Sequence, residues 1–93
     1  MLDNLQTRRV FLLLALSAKP QREEEIFRKL NEAMPEVALQ SMVFGTLCSM
    51  EGDGLTVRQG SSLKDRIHSL TPKGLQLATD IERRIEKLKE HRP

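Results

Sequence analysis

Apolar residues fall along this chain in stretches of different spacing, and each spacing predicts an element. In "DNLQTRRVFLLLALSAKP" the Leu, Val and Ala positions wrap around more than one face. They predict a helix over residues 4–18, buried on several sides and stopped by Pro20, which disfavours helical geometry at Lys19. "QREEEIFRKLNEAM" sets Ile26, Phe27, Leu30, Ala33 and Met34 on one stripe, with Glu23, Glu24 and Glu25 in the first turn, where they complement the helix dipole. After Pro35, Leu39, Val43, Leu47 and Met50 line one side of a third helix, which the Gly52 to Gly54 region ends. "LTVRQGSSLKDRIHSL" holds two β-prone runs around a Gly-Ser-Ser tip, the pattern of a hairpin. Thr71 caps and Pro72 starts a last helix over 72–91, in which Leu77 or Ala78, Ile81, Ile85 and Leu88 form a stripe narrow enough for helix pairing.

Helix, helix, helix, two-stranded ribbon, long helix: this order predicts a mainly α fold with a small β-hairpin, a winged helix-turn-helix with a long C-terminal dimerisation helix. Residues 22–52 form the turn motif and 55–70 the wing. A length of 93 residues leaves room for one domain, 1–93, and no second. So short a chain buries only about 60% of its unfolded surface, which favours gaining stability from a second copy. Phe11, Ile81, Ile85 and Leu88 are the expected dimer interface.

Composition changes this picture little: 39% apolar and 30% charged residues describe a soluble globular domain. "VFLLLALSA" is too short to span a bilayer, and the single Cys48 has no partner for an internal disulfide. The chain is expected in the cytoplasm, away from membranes. Its net charge of +2 does not by itself select a nucleic-acid partner, so distribution matters more. No basic residue lies between Lys29 and Arg58.

"SMVFGTLCSMEGDGL" followed by "KDRIHSLTPKG" resembles the PadR-type winged-helix transcriptional regulators, with the MarR-type family as a looser relative. The resemblance runs through Phe44, Gly45 and Leu47, through Glu51 to Leu55, and through "LTPKG" at 70–74. It implies a bacterial-type, homodimeric, sequence-specific regulator of transcription, a repressor, with double-stranded DNA as its partner. Where that family usually carries Arg or Lys in the recognition helix, this chain has Cys48 and Ser49; where it carries wing aromatics, this chain has Ile67 and His68.

Base contacts would then come from an uncharged surface. With Val43, Leu47 and Met50 inward, a period of about 3.6 residues turns Ser41, Gly45, Cys48 and Ser49 outward and leaves Gln40, Phe44 and Thr46 on the flanks. Gln40, Ser41 and Thr46 offer hydrogen bonds to base edges, and Phe44 an apolar contact to a thymine methyl. A glycine in mid-helix costs about 1 kcal/mol relative to alanine, so Gly45 suits either close approach to DNA or tight packing against protein. Phosphate contacts are expected from Arg22 and Arg28 on the second helix and from Arg58, Lys64 and Arg66 in the wing. Arg8 and Arg9 read as a solvated face.

Nothing in the spacing points to an enzyme, a cofactor or a metal site: His68 and His91 are far apart, and no Gly-rich phosphate loop is present. His68 reads as a surface or satisfied histidine, and Cys48 as an inert thiol. The alternative is a winged-helix protein-interaction module, an accessory or anti-repressor factor, whose partner would meet Met42, Phe44 and Cys48. A basic surface joining Arg22, Arg28 and the wing favours DNA, whereas Glu32, Glu36, Glu51 and Asp53 on that face favour a protein.

Overall fold

The computed structural model describes residues 3–62 and 64–90. Among them the chain is mainly helical with a small three-stranded antiparallel sheet. In order the elements are α1 (Asn4–Ala18), β1 (Gln21–Arg22), α2 (Glu23–Ala33), a short 3-10 helix (Pro35–Val37), α3 (Gln40–Gly52), β2 (Thr56–Gln59), β3 (Ile67–Leu70) and α4 (Pro72–Glu90). The expected end of the last helix at residue 91, and His91 with it, lie outside the described residues.

Asp3 and Gln6 start α1 with a capping box: Asp3 accepts the Gln6 N–H at 2.8 Å and Gln6 Oε1 accepts the Asp3 N–H at 3.3 Å. At the other end Lys19 is extended ahead of Pro20, as the proline requires. That extended exit carries Gln21 and Arg22 alongside β3, opposite His68 and Ile67 respectively. The expected two-stranded ribbon is therefore three-stranded, in the order β1-β3-β2.

α2 buries Ile26 and Leu30 and half-buries Phe27, and Met34, its C-cap, is half-buried against the core, whereas Ala33 is exposed, a correction to its expected place on the stripe. The 3-10 turn then buries Val37 and Ala38, so α3 starts only at Gln40. Leu39 precedes it in extended geometry and is 61% exposed, a correction to its expected inward position. Val43, Leu47 and Met50 are buried as their spacing predicts. α3 closes in a Schellman arrangement: the Leu55 N–H donates to Met50 O at 2.9 Å and the Gly54 N–H to Glu51 O at 3.0 Å, with Gly54 at φ +76°. Both Leu55 and Met50 are buried, which supplies the hydrophobic contact of that motif.

The stretch "LTPKG" has a physical role at each position. Leu70 packs against the core; Thr71 Oγ1 accepts the Gly74 N–H at 3.0 Å as N-cap; Pro72 opens α4. Lys73 donates to the Asp53 carbonyl at 3.0 Å, placing a cation where the α3 carbonyls point. Gly74 lies against the Leu55 backbone. This stretch locks the end of α3, the sheet and the start of α4 together. The core gathers Leu12 and Leu16 of α1, Ile26 and Leu30 of α2, Leu47 and Met50 of α3, and Ala78 of α4. From Glu82 onward α4 is exposed, with Glu82 still accepting a hydrogen bond from Ser17 of α1 at 3.0 Å. No helix among the described residues is long and apolar enough to cross a membrane.

Candidate nucleic-acid interface

α3 turns Gln40, Ser41, Met42, Gly45, Ser49 and Gly52 to solvent, so its outer face is free of charge. Among the described residues, a Cβ added at Gly45 meets nothing within 4 Å. Tight packing within this chain is therefore not why the glycine is there. Leu39, 61% exposed, and Met42, 49% exposed, add an apolar margin to the face. Of the expected base contacts, Gln40, Ser41 and Gly45 are presented, while Phe44 and Cys48 are half-buried.

Thr46 is a correction. It is 2% exposed, donates to the Met42 carbonyl at 2.7 Å and accepts from Arg8 Nε at 3.0 Å. Arg8 in turn is buried, not part of a solvated face, because Arg8, Leu12 and Leu16 recur every four residues on the inward side of α1. Its neighbour Arg9 pairs with Asp53 at the end of α3.

On the other flank of α3 the expected phosphate ligands are also engaged. Arg66 donates from Nε and Nη2 to the two carboxylate oxygens of Glu23 at 3.0 and 2.8 Å, and its guanidinium lies 4.5 Å from the centre of the Phe44 ring. Arg66 is thus a structural cation, and the Phe44 ring is covered by it rather than offered to a base. Arg58 lies 5.7 Å from the same ring centre, with Nε 3.4 Å from Glu51 Oε1. Among the described residues Arg22, Arg28 and Lys64 are exposed and make no ion pair. Arg28 nevertheless shares a shallow depression on α2 with Glu25, Lys29 and Glu32, so that surface carries no net charge.

Glu23 and His68 hold this flank together. Sheet register explains the placement: Gln21, Arg58 and His68 stand opposite one another on three strands and share the inward face. His68 is fully buried and its Nε2 lies 2.8 Å from Glu23 Oε1. Burial pushes the Glu23 carboxyl up, but hydrogen bonds from Arg66 and His68, with the attraction of their charges, outweigh it and hold the group below its ordinary value. Arg66 is held above its own ordinary value, by the Glu23 hydrogen bond first, against burial, and further by the charges of Glu23, Cys48 and Glu51. Among the described residues, three buried polar atoms near the inner face have no hydrogen-bond partner: Glu51 Oε1, Thr56 Oγ1 and His68 Nδ1.

Gln6, Arg9, Val10, Leu13, Leu77 and Ile81 line a mainly apolar groove between α1 and α4. Phe11 and Ile81, expected at an interface, are partly buried against the core instead, whereas Ile85 is 37% and Leu88 70% exposed. No family model matches the chain, nor does any curated protein or solved structure.

Proposed function

We propose that this chain is a sequence-specific DNA-binding regulator of transcription, a repressor acting as a homodimer in the cytoplasm, built on a winged helix-turn-helix of the PadR kind. The observation that carries the reading is the outer face of α3: a helix surface of small hydrogen-bonding groups, with an open glycine at its centre, standing beside a hairpin. Element order supports it as well. A strand ahead of α2 that pairs with the second strand of the hairpin ties α2–α3, the turn motif, to β2–β3, the wing. In this reading Gln40, Ser41 and Ser49 read base edges, and Gly45 lets the helix backbone approach the groove. Arg22, Arg28 and Lys64 hold phosphates.

The test is selection of genomic DNA fragments by the purified protein at low and near-physiological salt, with an Arg22→Ala, Arg28→Ala, Lys64→Ala variant alongside. A palindromic sequence is expected to be enriched and to survive the higher salt. The triple variant should bind all sequences more weakly and flatten the salt slope by about 0.9 for each phosphate it no longer holds. Absence of any preferred sequence would defeat the reading. A second reading, a winged-helix module that binds protein, draws on the exposed Leu39 and Met42 and on the internal pairing of Arg58 and Arg66. Failure of the selection would favour it.

Dimerisation in this proposal uses the part of α4 beyond the core. Ile85 and Leu88 continue the stripe of Leu77 and Ile81, so two antiparallel copies of α4 can seat each other's Ile85 and Leu88 in the α1–α4 groove. The double variant Ile85→Asp, Leu88→Asp is expected to sediment as a monomer with its helical content unchanged, since neither residue belongs to the core. A variant that remains dimeric would move the interface elsewhere.

A further inference from the structure

Glu51 Oε1 is contested by two groups. It lies 3.4 Å from Arg58 Nε and 3.9 Å from His68 Nδ1, and neither approach makes a hydrogen bond, although both Glu51 Oε1 and His68 Nδ1 are buried. The other imidazole nitrogen is already committed. An ionised carboxylate only accepts, and Glu23 is held ionised, so Nε2 carries a proton and donates it to Glu23. Nδ1 is therefore the nitrogen left without a partner and open to a second proton. Neutral, it turns a lone pair toward a carboxylate oxygen, and two acceptors facing each other stand apart, as these do. Protonated, it becomes a charged donor 3.9 Å from the same oxygen.

Other groups around His68 leave that competition to decide the outcome. α2 contributes Glu23, already bonded to Arg66; α3 contributes Glu51 and, near Arg66, Cys48; β2 contributes Arg58 and β3 Arg66. β1 places Gln21 opposite His68, with its amide bonded to the Ala15 carbonyl and to the Lys29 ammonium. Among the described residues, the cations of α1 and of the start of α4 are engaged elsewhere: Arg8 with Thr46, and Arg9 and Lys73 with Asp53.

Resting on the DNA-binding reading, we infer that His68 is a proton-operated switch on the hairpin. A proton taken from water by Nδ1 draws Glu51 Oε1 away from Arg58 and frees that guanidinium, at the exposed end of the sheet's inner face, for a nucleic-acid phosphate. Uptake of that proton therefore tightens DNA binding, through one added phosphate contact.

The experiment measures affinity of the intact chain for a short mixed-sequence DNA duplex across a salt series at about pH 8 and about pH 5.5, inside the histidine window. In parallel, nuclear magnetic resonance of the DNA-free protein follows the His68 ring and the Arg58 Nε–H against pH. The parent chain is expected to bind severalfold more tightly at the lower pH, with a salt slope steeper by about 0.9. Arg58→Ala should abolish that response, and Glu51→Gln should show the steeper slope at both pH values. The Arg58 Nε–H signal should move together with the His68 titration. A pH response retained in Arg58→Ala overturns the switch, as does an Arg58 signal indifferent to His68, or a His68 ring that does not change charge in this window. If no duplex binds at any pH the DNA-binding reading fails, and the DNA-free titration still decides for or against the switch.

Discussion

Glu23→Ala is expected to lower the unfolding free energy by about 3 kcal/mol, the lower end of the range for breaking a buried ion pair, because Arg66 keeps some access to water. The mutation removes the acceptor of three hydrogen bonds at once: two from Arg66 and one from the fully buried His68. A buried imidazole N–H without an acceptor keeps its whole desolvation cost, and the guanidinium over Phe44 loses the anchor that aims it. Urea denaturation checks the value, with Glu24→Ala as the control, since Glu24 is exposed and its loss should stay within about 0.5 kcal/mol. Acid provides a second readout. The folded-state carboxyl is held below its ordinary value near 4.5, so its contribution is complete above that pH and is lost as pH falls through the depressed value. The parent should therefore lose stability in acid more steeply than Glu23→Ala. Equal midpoints for the two variants, or parallel acid profiles, would show that Glu23 does not hold the sheet to α2.

That such a residue escapes a reading of the sequence has a physical reason. Apolar spacing identifies the inward side of a helix only through its apolar members, and a charged residue on the same side is taken for an outward one. Arg8 stands four residues before Leu12 and eight before Leu16; Glu23 stands three before Ile26 and seven before Leu30. Each sits on a stripe that is legible, and each is buried because a partner from elsewhere in the chain reaches it: Thr46 in one case, Arg66 and His68 in the other. The distant partner is the part that spacing does not contain. His68 follows the same logic, since alternation along β3 puts it on the side of Leu70, yet only the pairing with β1 and β2 brings Glu23 and Arg58 around it.

Strong local chemistry was legible. Pro20 ends α1, Gly52 to Gly54 end α3, Thr71 and Pro72 start α4, and Val43, Leu47 and Met50 turn inward. β1 was not, because a two-residue strand is too short to show alternation and exists only by pairing with β3. The candidate interface divides in the same way. Which residues of α3 lie outward follows mostly from its period, while the engagement of Arg58, Arg66 and Thr46 depends on side chains remote in sequence.

Gly74→Ala and Gly45→Ala should change stability in opposite directions, though both replace a glycine in an α-helix. A methyl at Gly74 runs into the Leu55 carbonyl oxygen and comes within 3.0 Å of its carbon and 3.3 Å of its Cα. All of these are backbone atoms, so no rotamer change relieves the clash. Nor is the Leu55 backbone free to retreat: its N–H is bonded to Met50 O, its carbonyl accepts the Thr71 N–H at 3.0 Å, and its side chain is buried. α4 has to move instead, which pulls Ala78 from the core and Lys73 from the end of α3. Overpacking of this kind costs about 3 kcal/mol, offset by the roughly 1 kcal/mol that alanine gains over glycine in a helix, for a net loss of about 2 kcal/mol. At Gly45 the added methyl enters open space, so only the propensity gain remains, and the variant should be more stable by up to about 1 kcal/mol. Urea midpoints of the two variants against the parent decide it. Gly74→Ala as stable as the parent would mean that α4 does not meet Leu55 as described; Gly45→Ala less stable than the parent would mean that the outer face of α3 is covered in the free protein.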